Sequence, residues 1–153
     1  MTVLLDTNIL ARAAQPGHVH HDAAVRATDV LDSRGDTPSL VPQVLYEFWA
    51  VATRPTDKHG LGFSTAEART ELSRIKRMFP LLPDVPAILP AWEELIAAYE
   101  VKGKSSHDAR LVAAMRVHGI NQILTINEQD FIRYPGITVL TPESILKTAG
   151  LAD

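Results

Sequence analysis

Four carboxylates stand where ionised carboxylates are costly. Asp6 ends the apolar run Val3-Leu4-Leu5, and Glu47 is the only charge in Val44-Leu45-Tyr46-Glu47-Phe48-Trp49-Ala50-Val51-Ala52. Asp108 continues an apolar stripe, with Leu111 and Val112 at i+3 and i+4 and Met115 at i+7. Asp130 stands three residues after Asn127, just past the run Ile123-Leu124-Thr125-Ile126. A charge in such company must cap a helix or hold a partner. Carboxylates that cluster raise one another's pKa and cannot all stay ionised without a counter-charge. Carboxylate and water oxygens suit a hard divalent cation, so the pattern points to a Mg²⁺ or Mn²⁺ centre.

Each acid also has a structural use. Asp6 precedes a helix and can cap its N–H groups, although Thr7 could cap instead and leave the carboxylate free. On a helix, Glu47 has Val44, Ala50 and Val51 as its nearest neighbours, and every side of that helix reads as buried. A salt bridge to Arg12 or Arg110 would satisfy it. Ser105-Ser106-His107-Asp108 fits a capping box, and Asn127-Glu128-Gln129-Asp130 fits another capped start. With no Cys, thiolate sites are excluded. The run His18-Val19-His20-His21-Asp22 is a rival transition-metal site, weakened by its spacing and by its place in a loop after Pro16-Gly17.

The elements that must position these acids alternate. Val3-Leu4-Leu5, Thr37 to Val41, Ile123 to Ile126 and Ile137 to Leu140 read as short buried strands. Helices are expected after Asp6, over His21–Arg34, from Pro42 to about Thr53, from Ser64 to Phe79, over Pro86–Val101 and over His107–His118. Ser64-Thr65-Ala66-Glu67 is a capping box, Gly119 a helix stop, and Thr141-Pro142-Glu143-Ser144 opens a last helix. Arg54 to Phe63 reads as a mobile polar loop, and Pro80 to Pro83 as extended. The alternation predicts a three-layer α/β/α sandwich with a mainly parallel central sheet. In such sheets ligands collect beyond the carboxyl ends of the strands, where Asp6 falls.

The chain has 153 residues, enough for one domain spanning 1–153. The absence of Cys, of a basic leader and of any long apolar run fits a soluble protein of the cytoplasm, with no membrane partner. Fifteen Lys and Arg against eighteen Asp and Glu give a net charge of -3, which excludes nucleic-acid binding through bulk positive charge. It leaves room for a nuclease with a local basic rim.

Taken in order, L-L-D-T-N-I-L, V-L-Y-E-F-W-A-V-A-T-R-P, the H-D-A-R-L-V-A-A-M helix and L-T-I-N-E-Q-D-F with P-G-I-T-V-L resemble the PIN-domain ribonucleases, and most of all VapC-type toxins. The resemblance covers essentially the whole chain. It implies a Mg²⁺- or Mn²⁺-dependent endoribonuclease acting on RNA, blocked by a cognate antitoxin protein and forming a homodimer. The family's acids carry over onto Asp6, Glu47 and Asp108. The fourth ligand falls on Asn127 or Asp130, which leaves one metal or two open. On this reading Asp6 and Asp108 bind metal directly, and Glu47 ligates or positions the attacking water. Thr7 and Thr125 then support the carboxylates from behind. Lys102, Lys104, Arg110 and Arg116, with His107, would form a phosphate rim. Tyr46, Phe48 and Trp49 read as core or dimer contacts. A non-catalytic PIN-like module that binds RNA or protein is the alternative. A haloacid-dehalogenase-like phosphatase is disfavoured because Asn8 stands where its second Asp is needed.

Overall fold

The computed structural model describes residues 1–151. The chain runs β1 (Thr2–Leu5), α1 (Thr7–Ala13), α2 (His21–Ser33), β2 (Thr37–Ser39), α3 (Pro42–Thr53), α4 (Thr65–Met78), α5 (Ile88–Ala98), α6 (Ser105–His118), β3 (Gln122–Leu124), β4 (Thr138–Leu140) and α7 (Pro142–Thr148). Single 3-10 turns cover Thr56–Lys58 and Glu128–Asp130. Every strand pairing is parallel, in the order β2-β1-β3-β4. The α/β sandwich expected from the alternation is therefore present. No helix among the described residues is long and apolar enough to cross a membrane.

Val3, Leu4 and Leu5 are fully buried, as a central parallel strand covered on both faces requires. The chain leaves β1 for β2 on one side and returns past it to β3 on the other. The order of connection thus reverses between β1 and β3, and it is beyond the carboxyl ends at such a reversal that open sheets form their sites. Asp6 follows β1 directly, and Thr125 follows β3. The extended segment at Leu81 pairs in parallel with Leu40, through Leu40 N–H to Pro80 O and Leu82 N–H to Leu40 O, both at 2.8 Å. That pairing extends the sheet just past the carboxyl end of β2.

The local punctuation behaves as its chemistry dictates. Ser64 Oγ accepts from Glu67 N–H at 3.1 Å while Glu67 Oε1 accepts from Ser64 N–H at 3.0 Å, the reciprocal box that starts α4. Gly119 ends α6 with φ of 70°, a left-handed geometry that favours glycine.

Three expectations need correction. α6 begins at Ser105, two residues early, with Lys104 at the cap position and no side-chain cap bond, so Ser105 and Asp108 form no capping box. α3 is not buried all round: Phe48 lies in the core, but Tyr46 is 68% exposed and Ala50 is exposed as well. Its apolar composition overstates its burial, because a folded protein has too little polar surface to cover itself. Tyr46 is accordingly not a core residue. The Arg54–Phe63 segment is no loose loop. It folds back on the end of α3, with Leu61 N–H to Val51 O at 3.0 Å and Phe63 N–H to Ala52 O at 2.8 Å. Gly60 permits this, since a Cβ there would stand 2.0 Å from the Arg54 carbonyl oxygen.

Candidate active site

Asp6 is 7% exposed and sits where β1 gives way to α1. It caps that helix itself: Oδ1 accepts from Thr7 N–H at 2.8 Å, so the division of labour that gave the cap to Thr7 does not hold. Oδ2 accepts from Thr125 Oγ1 at 2.7 Å and from Asn8 Nδ2 at 3.2 Å. Asn8 also donates to Thr125 Oγ1 at 3.1 Å and accepts from Ile126 N–H at 3.1 Å. Thr125 Oγ1 accepts in addition from Asn127 N–H at 3.1 Å. The result is a closed polar network that ties the carboxyl ends of β1 and β3 together and holds one carboxylate between them.

Burial pushes the Asp6 carboxyl up to about 6, against the lowering effect of the bonds from Thr125 and Thr7 and with a further push from Glu47 and Asp130. The Asp108 carboxyl, half-buried in the first turn of α6, is pushed up to about 7. Burial is again the largest cause, followed by the charges of Asp130, Asp6 and Glu47, with Arg133 opposing them. Acids separated by up to 124 positions, from Asp6 to Asp130, thus stand in one another's fields.

Glu47 is half-buried on α3 and is held by neutral donors. Thr7 Oγ1 reaches Oε2 at 3.2 Å, and Gln43 Nε2 reaches Oε1 at 2.7 Å. Neither arginine anticipated as its partner serves it. Arg12 donates to Gln15 at 2.7 Å, while Arg110 pairs with Asp84 at 3.2 Å and donates to Gln43 Oε1 at 2.9 Å. Among the described residues no ion pair involves Asp6, Glu47, Asp108 or Asp130. Asp130 is exposed on its 3-10 turn. Asn127 precedes that turn, also exposed, and makes no side-chain cap.

The expected metal cage is not closed. Among the described residues no group of three or more His, Asp or Glu side chains stands close enough together to hold a metal ion. The donor chemistry still fits a hard divalent cation, since the acids offer only oxygen and their mutual field favours a positive charge between them. The histidine run is spent on structure. His18 Nδ1 accepts from His20 N–H at 3.0 Å, and the His21 ring bonds the Arg12 carbonyl oxygen at 2.9 Å.

Of the expected basic rim, Lys102 and Lys104 are exposed on the turn before α6. Arg116 lies two turns beyond Asp108, about 12 Å along the helix, and donates to Pro135 O at 3.5 Å. Sequence reasoning passed over Asn8, Gln43 and Arg133. Asn8 was read only as a motif residue and as an argument against a phosphatase, and Gln43 stands one helical turn before Glu47, a spacing that could have flagged it. Arg133, with its guanidinium 6.0 Å from the Tyr134 ring centre, stands in a turn with no periodicity to mark it.

A parallel α/β sheet with a buried carboxylate network at its connection reversal has its polar groups where open α/β sheets place ligand sites. The PIN domain family model matches residues 3–137, and the chain belongs to that family. Within it the chain is homologous to the VapC ribonucleases. It is 31% identical to ribonuclease VapC24 of Mycobacterium tuberculosis over 132 residues, 83% of this chain and 87% of that one. VapBC2 of Rickettsia felis, solved bound to a DNA fragment from its promoter, shares the fold at a TM-score of 0.70 and 18% identity, covering 92% of this chain and 98% of that one. A toxin–antitoxin complex from Klebsiella pneumoniae does so at 0.60 and 24%, covering 92% and 97%.

Proposed function

We propose that this chain, as one domain over residues 1–153, is a Mg²⁺- or Mn²⁺-dependent endoribonuclease that hydrolyses phosphodiester bonds in RNA. The observation that carries this reading is geometric: Thr7 donates to both Asp6 and Glu47, and Gln43 ties Glu47 to the carbonyl just before Asp108, with no ion-pair partner for any of these acids among the described residues. The likeness to the ribonuclease VapC24 supports the activity, and the likeness to a toxin–antitoxin complex supports a toxin's place in such a pair. Its partners are then RNA, an antitoxin protein and a second copy of the chain, and its setting is the cytoplasm.

Asp6 and Asp108 would hold the cation, with Glu47 as third ligand or as the group that orients the attacking water. Asp130 or Asn127 would complete the set. A bound divalent cation would lower the pKa of its water and offset charge developing on the phosphate. Thr125, Asn8 and the Thr7 N–H hold the Asp6 carboxylate, and Oδ1, which accepts a single bond, keeps a lone pair to offer. Thr7 does the same for Glu47. Lys102, Lys104 and Arg133 would hold flanking phosphates.

Purified protein incubated with a mixed RNA pool in Mg²⁺, Mn²⁺ or EDTA, beside Asp6→Asn, tests the proposal. Metal-dependent cutting that is lost in the variant is the expected result. The second reading is a PIN-like module that binds RNA or protein without cutting. RNA binding that is indifferent to EDTA, with no cleavage, would favour it.

A further inference from the structure

Gln43 stands between two opposite charges, the Glu47 carboxylate and the Arg110 guanidinium. It is 6% exposed, and both hydrogens of its amide are used. Nε2 donates to Glu47 Oε1 at 2.7 Å and to the His107 carbonyl oxygen at 2.7 Å, while Oε1 accepts from Arg110 at 2.9 Å. The orientation of the amide follows from its neighbours. A guanidinium can only donate, so it must face the amide oxygen, which turns the NH₂ toward Glu47 and His107. Arg110 is in turn steadied by Asp84 at 3.2 Å. Asp84, Arg110, Gln43 and Glu47 thus form a line from the segment before α5, across α6, to α3. The line meets α6 at the carbonyl of residue 107, the position just before Asp108.

We infer that Gln43 is a positioning residue: a neutral spacer that aims Glu47 from α6, in register with Asp108, while keeping the Arg110 cation off the carboxylate. A direct Glu47–Arg110 pair would orient Glu47 as well, but it would neutralise the group. A neutral donor orients the carboxylate and leaves its charge available to a divalent ion. Hydrogen-bond partners of metal-binding carboxylates are worth 10–100-fold in metal affinity or activity. This inference rests on the proposed metal-dependent nuclease and deepens it.

The test is calorimetric titration of Mn²⁺ alone into wild type, Gln43→Met, Glu47→Gln and the double variant, with melting temperatures and RNA cleavage measured beside it. Methionine nearly preserves the volume and offers no donor. Gln43→Met should weaken Mn²⁺ binding about 10–100-fold and lower kcat with KM unchanged. In the Glu47→Gln background the same change should have no further effect on Mn²⁺ affinity, because the two residues then form one non-additive unit. If Gln43→Met does not fold, Arg110→Lys replaces it: Gln43 stays, but a point charge cannot serve both Gln43 and Asp84 as the fork does, and the same weakening is expected. Wild-type Mn²⁺ affinity in a folded Gln43→Met overturns the inference, and so does an equal loss with and without Glu47. If wild type cleaves RNA with metal and Gln43→Met matches it, only the spacer fails. If wild type neither binds Mn²⁺ nor cleaves, the nuclease reading fails and the spacer with it.

Discussion

Asp6→Asn should invert its effect on stability between acid and neutral pH. Folding raises the Asp6 carboxyl from 3.8 to about 6. A carboxyl raised by folding keeps more protons in the native state than in the unfolded one across that window. Stability is therefore fullest near and below pH 4, falls as pH climbs to about 6, and stays low above it. At ~1.4 kcal/mol per unit the shift corresponds to about 3 kcal/mol, and the group is buried enough for solvent to screen little of it. Asparagine removes that charge but cannot accept from both Thr125 and Thr7 as the carboxylate does, a loss of about 1 kcal/mol. The variant should thus be about 1 kcal/mol less stable than wild type at pH 4 and about 2 kcal/mol more stable at pH 8. Urea unfolding of both proteins in EDTA at the two pH values measures this, with equal m-values as the control. Equal destabilisation at both values, or a wild type that gains stability from pH 4 to 7 relative to the variant, would refute the electrostatic account of Asp6.

Mg²⁺ should reverse the penalty in wild type, adding about 2.7 kcal/mol at a hundred times its Kd, and should leave Asp6→Asn unmoved in the same urea assay. Metal-dependent cleavage should rise with pH through about 7, because the Asp108 carboxyl must give up its proton to bind a cation; a pH–rate profile flat from 5 to 8 would contradict this. Thr125→Val removes the donor to Asp6 and the acceptor of the Asn8 and Asn127 N–H groups. It should cost about 1–3 kcal/mol and raise the Asp6 pKa further, which carboxyl NMR titration can follow. Ser64→Ala breaks the box at the start of α4, for about 1 kcal/mol in thermal or urea unfolding, with cleavage unchanged.

The acids were legible because each contradicts its surroundings. Asp6 ends a fully buried strand, and Glu47 interrupts an apolar helix. What supports them was not legible, and the reason is distance along the chain. Gln43 meets His107 across 64 positions and Asn8 meets Thr125 across 117, pairings that no local period encodes. Arg110 illustrates the difference. Its charge beside Asp108 invited a phosphate contact, yet Gln43 and Asp84 occupy its fork. The strands were readable as buried runs, whereas the pairing of Leu81 beside Leu40 depends on where α4 returns the chain. The exposure of Tyr46 was hidden by composition, since an apolar helix packed on one side reads like one packed on every side.

The bond from Thr125 to Asp6 spans 119 positions, and β1 has no partner in β3 until those positions exist. At the ~5–20 residues per second of protein synthesis, that interval lasts about 6–24 s. Throughout it Asp6 lacks the Thr125 bond and the β3 strand beside β1, although α6 with Asp108 is made before the interval ends. A nascent chain halted before β3 would carry Asp6, Glu47 and Asp108 and still have no centre. The same topology that gathers the acids therefore also acts as a clock: the hydrogen-bond network around Asp6 cannot close until β3 and Thr125 have been made.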